Sequence, residues 1–483
     1  MVILIKREQF GLLADGWNPL YEHIEDFEIK RNEKMLIKDE SPIYINHYAK
    51  ASNIFAANIY KTTGNIECGK AINTISIIMI FLFTLSFLLY KNKSLPFSLL
   101  FSLCVCTYPV ICAQFLTNYL DMLVYVFLYL LIYSFFIMEE KKFIISKSEI
   151  LIFYFMILTL CINLKVSLFG YAGIFCLGYY IWYIYRFFNN KIDKKFFWQF
   201  TIASIVSVII GVFVIGLSVY PKNLIEHGHP FYPLIGEGKV DIMTVNQPAY
   251  FENKSAFEKF IISTFSKAND IISTSEEVAE FKVPFSVDRE ELFYISLSDT
   301  RISGNGIFFS GILIISLIVL IAKSKKIYKE NSTLFILCAI PTIITFLMIF
   351  LLNESWWARY FPQIYFIVLF AVLALDSNKK IYKYLQYGLI FVILVNNFAT
   401  FSASVQRAYE KNKSFNEEFV IFENMNYEEN SQIEIRANSF HGAKYNILDK
   451  YKKYNITFKN DKANNMSESG EFFNGYLEWS LIK

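Results

Sequence analysis

The sequence predicts an α-helical polytopic membrane protein with about ten transmembrane helices, amphipathic outer-face helices and a small C-terminal extramembrane module. Composition is the first reason: 54% of the 483 residues are hydrophobic and only 18% are charged, which is typical of membrane proteins. Long apolar runs are the second reason, and the uneven distribution of Lys and Arg between them is the third. The net charge is only +3, so we predict no nucleic-acid partner.

The apolar runs define the predicted transmembrane helices. A helix needs about 20 residues to cross the hydrocarbon core of a bilayer. The runs lie at 72–90, 95–113, 120–138, 148–163, 168–186, 198–220, 305–322, 333–352, 361–375 and 384–402. Two of them, 148–163 and 361–375, are short, and we expect flanking residues to complete them.

Basic residues in the connectors predict the orientation. The connectors on one side, at 91–94, 139–147, 186–195, 323–330 and 376–383, contain 16 Lys and Arg residues together. The short connectors on the other side, at 114–119, 163–167 and 353–359, contain two, Lys165 and Arg359. Cytoplasmic loops hold an excess of Lys and Arg. We therefore predict a multi-pass membrane protein whose basic connectors face the cytoplasm.

This orientation divides the chain into five parts. They are an outer-face N-terminal segment (1–71), transmembrane helices 1–6 (72–220), an outer-face loop (221–304), transmembrane helices 7–10 (305–402) and an outer-face C-terminal module (403–483). Apolar residues at helical spacing predict amphipathic helices at 253–272 and at 48–60. In the C-terminal module, strands are predicted at 419–425 and 433–440.

Polar chemistry is concentrated at the outer ends of the predicted spans. Asp121, Lys165, Glu354 and Arg359 lie at this rim, and no Asp, Glu, Lys or Arg lies near the middle of a predicted span. Transporters and proton pumps usually carry such groups along their pathway. The connector NESWWARYFP (353–362) combines a carboxylate, a cation and four aromatic residues. We therefore expect the function to lie at the outer rim.

Several outer-face segments resemble those of the C-type (GT-C) membrane glycosyltransferases, the superfamily that includes protein mannosyltransferases and aminoarabinose transferases. The segments are GWNPLYEH (16–23), INHYAK (45–50), YKTTGNIECGKAIN (60–73), TNYLD (117–121), NLK (163–165), HPFYP (229–233) and ARYFP (358–362). The resemblance covers most of the membrane region and depends on their order and common sidedness. It implies an enzyme embedded in the membrane lipid of the bacterial inner membrane, with its active face outward. This enzyme moves a sugar from a polyprenyl-phosphate-linked donor to a glycan, lipid or protein acceptor.

The chemistry of that transfer assigns roles to three rim residues. Cations must hold the donor phosphate and offset its charge as it leaves, and Arg359 and Lys165 fit this task. A carboxylate must orient the acceptor hydroxyl and take its proton, and Asp121 fits that task. Each residue also has a structural alternative. Arg and Lys side chains snorkel at membrane rims, and the helix dipole favours an Asp at a helix start.

Further residues are candidates for binding the sugar or the acceptor. They are His47, Tyr48, Tyr119, Trp356, Tyr360 and His229. Trp356 and Trp357 are also explained as interfacial anchors, because Trp is enriched at membrane interfaces. No cofactor is certain. A divalent metal could bind at His227 and His229 or at the Asp26–Glu28 pair, although two ligands make a weak site.

Two other functions fit the same orientation. A polymerase or ligase of surface polysaccharide would also use polyprenyl-linked sugars and outer-face arginines. A lipid-carbohydrate flippase or transporter would instead need polar groups in the middle of the bundle and broken helices.

The start of the chain raises a separate expectation. Members of the GT-C superfamily begin with one more membrane helix, whose outer end carries an acidic motif. We therefore expect the reading frame to be truncated, with about eleven spans and a second catalytic carboxylate in the natural protein. Such a truncated chain is inactive unless Asp121 works alone or Asp15 or Asp26 replaces that carboxylate.

Overall fold

A computed structural model describes residues 47–140, 145–240, 246–376 and 379–425, and parts of the C-terminal region at 432–437, 447, 450–451, 456–458, 468–472 and 477–482. Asp15, Asp26 and Glu28 lie outside the described residues. The interpretations that involve these three residues therefore remain predictions.

Helices make up most of the described chain. They are α1 (Ala51–Thr63), α2 (Ala71–Tyr90), α3 (Leu95–Cys106), α4 (Pro109–Gln114), α5 (Asp121–Met138), α6 (Lys147–Leu164), α7 (Val166–Phe188), α8 (Lys194–Ile209), α9 (Tyr220–His227), α10 (Ala256–Phe265), α11 (Glu291–Tyr294), α12 (Phe309–Glu330), α13 (Ser332–Leu351), α14 (Ile364–Ala374) and α15 (Lys380–Glu423). A π-helical turn, Ile210–Ile215, extends α8. Each predicted span coincides with at least one helix.

The helices confirm the polytopic membrane class. Within the described residues, seven helical segments are long and apolar enough to cross a membrane: Glu67–Tyr90, Asp121–Met138, Lys147–Leu164, Val166–Phe188, Lys194–Ile215, Ser332–Leu351 and Lys380–Glu423. Of the other predicted spans, Leu95–Cys106 and Ile364–Ala374 are apolar but shorter, and the apolar part of α12 ends at Lys323. The predicted number of ten spans is not confirmed.

Helix α5 lies at the centre of the bundle. Nearly all of its side chains are buried, because it packs against α2, α6 and α7. A helix that is apolar on all sides needs such an environment. The ring of Tyr125 packs against Tyr108 and Tyr365, with centroids 4.7 and 6.0 Å away. This packing positions Asp121, the first residue of α5.

The predicted span 95–113 consists of two helices. Helix α3 ends at Cys106, and α4 begins at Pro109, whose fixed φ and missing N–H suit the first turn of a helix. The break places the buried Tyr108 where its hydroxyl donates to Asn305 Oδ1 at 2.7 Å. The interrupted span thereby contacts the residues that follow the outer loop.

The outer-face helices agree with the prediction in part. Helix α1 matches the helix predicted at 48–60. At 253–272, however, the structure has only the shorter α10, which begins with a capping box formed by Ser255 and Glu258. It ends at Phe265 because Ser266 pairs with Phe281 in an extended bridge. The prediction was therefore wrong from Ser266 onwards, where the backbone bonds to a neighbouring segment.

The C-terminal module packs on the end of the longest helix. Four strands, β1 (Gln432–Ala437), β2 (Ile456–Phe458), β3 (Glu468–Phe472) and β4 (Leu477–Ile482), form a sheet in the order β2-β1-β4-β3. Strand β1 confirms the start of the strand predicted at 433–440. The strand predicted at 419–425 is wrong, because α15 continues to Glu423. Phe419 and Phe422 lie on this helix and are buried with the apolar face of the sheet.

Candidate active site

Asp121 lies buried at the predicted outer end of the bundle, with both carboxylate oxygens engaged. Its Oδ1 forms an ion pair with Lys165 Nζ, and its Oδ2 accepts a hydrogen bond from Gln114 Nε2 at 3.3 Å. Only 2% of the side chain is exposed. Lys165 adopts an extended backbone conformation between α6 and α7. The structure thus joins two residues that the sequence places in separate connectors.

Arg359 is the second cation of this cluster. Its Nε lies 3.8 Å from Asp121 Oδ2, and its Nη2 donates to the Tyr360 hydroxyl at 2.9 Å. Three rings surround the guanidinium: the centroids of Tyr119, Trp357 and Tyr360 lie 5.1, 4.5 and 4.7 Å from Cζ. Aromatic faces attract a cation and restrict the orientation of the planar fork.

Two donor atoms of Arg359 face carboxylates without forming a hydrogen bond within the described chain. Among the residues that the structure describes, neither Nε nor Nη1 has an acceptor in hydrogen-bond geometry, although both atoms are buried. Burial lowers the pKa of Arg359, but Asp299 and the other neighbouring groups outweigh this effect, and the pKa lies well above its ordinary value. A permanently charged guanidinium is suited to binding an anion.

The sequence analysis missed Asp299, which lies beside Arg359. Its Oδ1 is 3.0 Å from Arg359 Nη1, and 27% of its side chain is exposed. Burial raises the pKa of Asp299 to about 6, against the lowering effect of Arg359 and Arg301. A carboxyl that changes protonation near neutral pH is suited to proton transfer.

Gln114 was also missed, and it connects the surroundings of the two carboxylates. Besides its bond to Asp121, Nε2 donates to the carbonyl oxygen of Ser298 at 2.8 Å, and Oε1 accepts from the Met122 N–H at 3.1 Å. Ser298 immediately precedes Asp299. One buried amide therefore fixes both the start of α5 and the loop that carries Asp299. Its position in the short connector 114–119 is the only signal that the sequence offered.

The two tryptophans of NESWWARYFP belong to the core of the outer loop. Trp356 and Trp357 are 4% and 1% exposed, and their rings stack with centroids 5.1 Å apart. Phe251, Ile271 and Ile302 complete this core. Trp356 thus packs in the core of the loop. Its role in binding a sugar or acceptor stays a prediction.

Two ion pairs hold the loop that carries Asp299. Lys282 and Glu291 pair with each other, each only 2% exposed, and Glu291 also accepts the Ala268 N–H at 2.8 Å. Arg301 pairs with Asp270 at 2.7 Å. Ion pairs of this kind fix a geometry when their remaining hydrogen-bonding atoms are satisfied. They connect distant parts of a loop that has little helix or strand.

His47 and His229 belong to a second cluster. His47 Nδ1 lies 2.6 Å from Asn223 Oδ1, and its ring meets that of His227 edge to face, with centroids 4.8 Å apart. His229 Nδ1 accepts the Phe231 N–H at 3.1 Å. These contacts join the start of α1 to the loop after α9. Binding of an acceptor by these residues stays a prediction.

Tyr48 and the histidines considered as metal ligands complete the set of predicted site residues. Tyr48 is half-buried next to His47, and its role in binding an acceptor also stays a prediction. Within the described ranges, no group of three or more His, Cys, Asp or Glu side chains could hold a metal ion. His227 and His229 therefore find no third ligand there.

Comparisons with known proteins bear on the fold. No protein-family model matches the chain, and no curated protein matches its sequence. In structure the chain is similar to ArnT from Cupriavidus metallidurans in the apo state, with a TM-score of 0.48 and 8% identity, over 95% of this chain and 83% of that chain. It is also similar to the Archaeoglobus fulgidus oligosaccharyltransferase in the apo form, with a TM-score of 0.42 and 10% identity, over 97% of this chain and 60% of that chain.

Both TM-scores are below 0.5, so the functional proposal rests on the side chains of the candidate active site.

Proposed function

We propose that the chain is a membrane glycosyltransferase of the bacterial inner membrane. It moves a sugar from a polyprenyl-phosphate-linked donor to a glycan, lipid or protein acceptor at the outer face. The supporting observation is one buried cluster at the outer end of the bundle. In it, Lys165 and Arg359 meet Asp121 and Asp299.

We assign the donor phosphate to Arg359 and Lys165. The prenyl tail of the donor lies along the apolar helices, which leaves its phosphate at the rim. Phosphate oxygens accept N–H bonds from a guanidinium, and Arg359 and Lys165 bring two positive charges to the same cluster. The same positive charge offsets the negative charge that grows on the phosphate as its bond to the sugar breaks.

The two carboxylates have different tasks in this proposal. Asp121 is enclosed, with its oxygens engaged by Lys165 and Gln114, and we assign it to holding the two cations. The side chain of Asp299 is 27% exposed, although its Oδ1 is buried 3.0 Å from Arg359 Nη1. An acceptor hydroxyl can approach Asp299, so we assign proton transfer to it. Asp121 thus stays in the site as a positioning residue rather than as the predicted base.

The proposed step balances as follows. The acceptor oxygen forms a bond to the anomeric carbon of the donor sugar, and the bond between that carbon and the phosphate oxygen breaks. The electron pair of the broken bond stays on the phosphate, which leaves as polyprenyl phosphate beside Arg359 and Lys165. The acceptor proton passes to Asp299, which later releases it to solvent.

The test uses the full-length chain in liposomes. Farnesyl-phosphate-linked hexoses and pentoses are supplied with an extract of envelope glycans and lipids, and released farnesyl phosphate is quantified by chromatography. We expect release with at least one donor, and a loss of about a hundredfold or more in Asp299→Asn. Asp288→Asn is the matched control, because Asp288 is an ion-paired carboxylate of the same loop.

Each outcome decides a different part of the proposal. Wild-type release in Asp299→Asn would contradict the assignment of the proton acceptor while leaving glycosyl transfer intact. If no donor reacts and labelled donor moves across the bilayer, the protein is a transporter rather than a glycosyltransferase. A ladder of lengthening products would favour the polysaccharide polymerase.

A further inference from the structure

A large cavity lies inside the bundle towards the end opposite Asp121. Its volume is about 770 Å³, and ligand pockets usually measure about 300–1,000 Å³. Helix α5 contributes Tyr129, Ile132 and Phe136 to its wall. Tyr129 lies two helical turns beyond Asp121, so the cavity begins about 12 Å along the helix from the candidate active site. It is a separate site.

The wall of the cavity is mostly hydrocarbon. Its apolar residues include Phe97, Phe101, Leu337, Phe366, Leu369 and Phe370. The hydroxyls of Thr84 and Tyr129 also line it, but they bond to each other at 2.6 Å, and Thr84 donates to the carbonyl oxygen of Ile80 at 2.6 Å. Water is stable in a cavity only where polar partners are available. This wall therefore favours a hydrocarbon chain over water.

The mouth of the cavity is charged. Three ion pairs line it: Lys91–Glu140, Lys93–Asp376 and Arg186–Glu139. They lie in the connectors that are rich in basic residues. Each cation has an acidic partner, so the described part of the mouth has no excess of either sign.

We infer that this cavity binds a zwitterionic phospholipid, with one acyl chain inside and the headgroup among the three ion pairs. The phosphate of such a headgroup meets the cations of the mouth, and its ammonium meets the carboxylates. No charge is left uncompensated by this exchange. An anionic lipid would take a cation from its partner and leave a carboxylate unpaired in a partly buried place, which is costly.

Native mass spectrometry of the full-length chain tests this inference. The protein is released from detergent micelles that contain palmitoyl-oleoyl phosphatidylethanolamine and phosphatidylglycerol in equal amounts. We expect the wild type to retain phosphatidylethanolamine in preference. Leu337→Trp fills the cavity from a wall position that is 3% exposed, and we expect it to lose the bound lipid. Leu347→Trp is the matched control: it lies on the same helix, is 52% exposed and should keep the lipid.

A second variant tests the mouth without disturbing the core. Asp376 is 49% exposed, and Asp376→Lys gives the mouth an excess of positive charge. We expect this variant to retain phosphatidylglycerol in preference. Glu226→Lys makes the same charge change at a carboxylate that is 48% exposed outside the cavity, and its preference should match that of the wild type.

Three results would overturn the inference. The first is equal or weaker retention of phosphatidylethanolamine by the wild type. The second is an unchanged preference in Asp376→Lys, or the same change in Glu226→Lys. The third is full retention by a Leu337→Trp protein whose circular dichroism and melting temperature match those of the wild type.

Discussion

The orientation of the Arg359 guanidinium is set by the groups that surround it. Rings on several sides and carboxylates near its edge leave the guanidinium one preferred plane. An ammonium group on a flexible stem has no such plane. At this position, therefore, the shape of the cation matters in addition to its charge.

Replacing the fork by a point charge tests this view. We expect Arg359→Lys to lower kcat/KM for the lipid-linked donor by about a hundredfold, because Lys cannot present two parallel N–H groups to one phosphate. Initial rates of farnesyl phosphate release give the comparison. Arg289→Lys, at an exposed position of the outer loop, should leave the rate unchanged. Full activity of Arg359→Lys would show that a point charge is sufficient.

The pH dependence of transfer reports on Asp299. Burial is the main reason why its pKa is raised to about 6, so the proton-accepting carboxylate forms as the pH rises through that value. We expect kcat/KM to rise with pH across the same range, and we expect this rise to be absent in Asp299→Asn. If the rise persists in Asp299→Asn, another group causes it.

The raised pKa of Asp299 affects the stability of the folded protein in the opposite direction. A carboxyl whose pKa is raised in the folded state favours folding when it is protonated. Its contribution is present at low pH and is lost as the pH rises through about 6. Activity and stability are therefore expected to change in opposite directions across this pH range.

The sequence marks some of these residues and hides others. Asp121, Lys165 and Arg359 could be found because each interrupts an apolar stretch at the end of a predicted span. Asp299 could not, because it is one of several acids in a long polar loop without periodicity. Gln114 carries no charge and breaks no pattern.

At the scale of elements, the outer loop depends on one buried ion pair. Lys282 and Glu291 are almost fully buried, and Lys282 also donates to the carbonyl oxygen of Ile307 at 2.8 Å. Burial lowers the pKa of Lys282, although Glu291 raises it. Removal of one partner leaves the other group buried without its counter-charge.

We expect Glu291→Gln to destabilise the loop by about 3–5 kcal/mol. Limited proteolysis of the purified protein should then cut this loop faster than in the wild type. Glu280→Gln is the control, because the Glu280 side chain that pairs with Lys267 is 72% exposed. In the double variant Lys282→Met, Glu291→Leu, much of the protection should return. Equal cutting of the wild type and Glu291→Gln would show that other contacts hold the loop.

Secondary structure was predictable where the apolar residues follow one clear pattern along the chain. The long apolar runs gave helices, because only a helix satisfies its own backbone within a membrane. The segment 419–425 was mistaken for a strand because its aromatic residues suit both structures. Phe415, Phe419 and Phe422 in fact follow a helical spacing, which becomes clear only when the preceding turn is included. The end of α10 depends on pairing with a distant segment, which no local pattern records.

At the scale of the whole molecule, the orientation in the membrane follows from the basic connectors. We expect alkaline phosphatase to be active when fused after Ser275 in the outer loop and inactive when fused after Lys326 in a basic connector. Green fluorescent protein fused at the same two positions should give the reverse result. Active phosphatase after Lys326 would invert the topology and move the candidate active site to the cytoplasmic side.

Helix α15 links the candidate active site to the C-terminal sheet. It has 44 residues and is about 66 Å long at a rise of about 1.5 Å per residue, roughly twice the thickness of the hydrocarbon core. Asn396, near its middle, accepts the Phe308 N–H at 2.9 Å and donates to the carbonyl oxygen of Asn305 at 3.0 Å. The helix is therefore fixed beside the outer loop by Asn396 and carries the C-terminal sheet at its far end. A force on the sheet would be transmitted along the helix to Asn396, and from there to the backbone that follows Asp299.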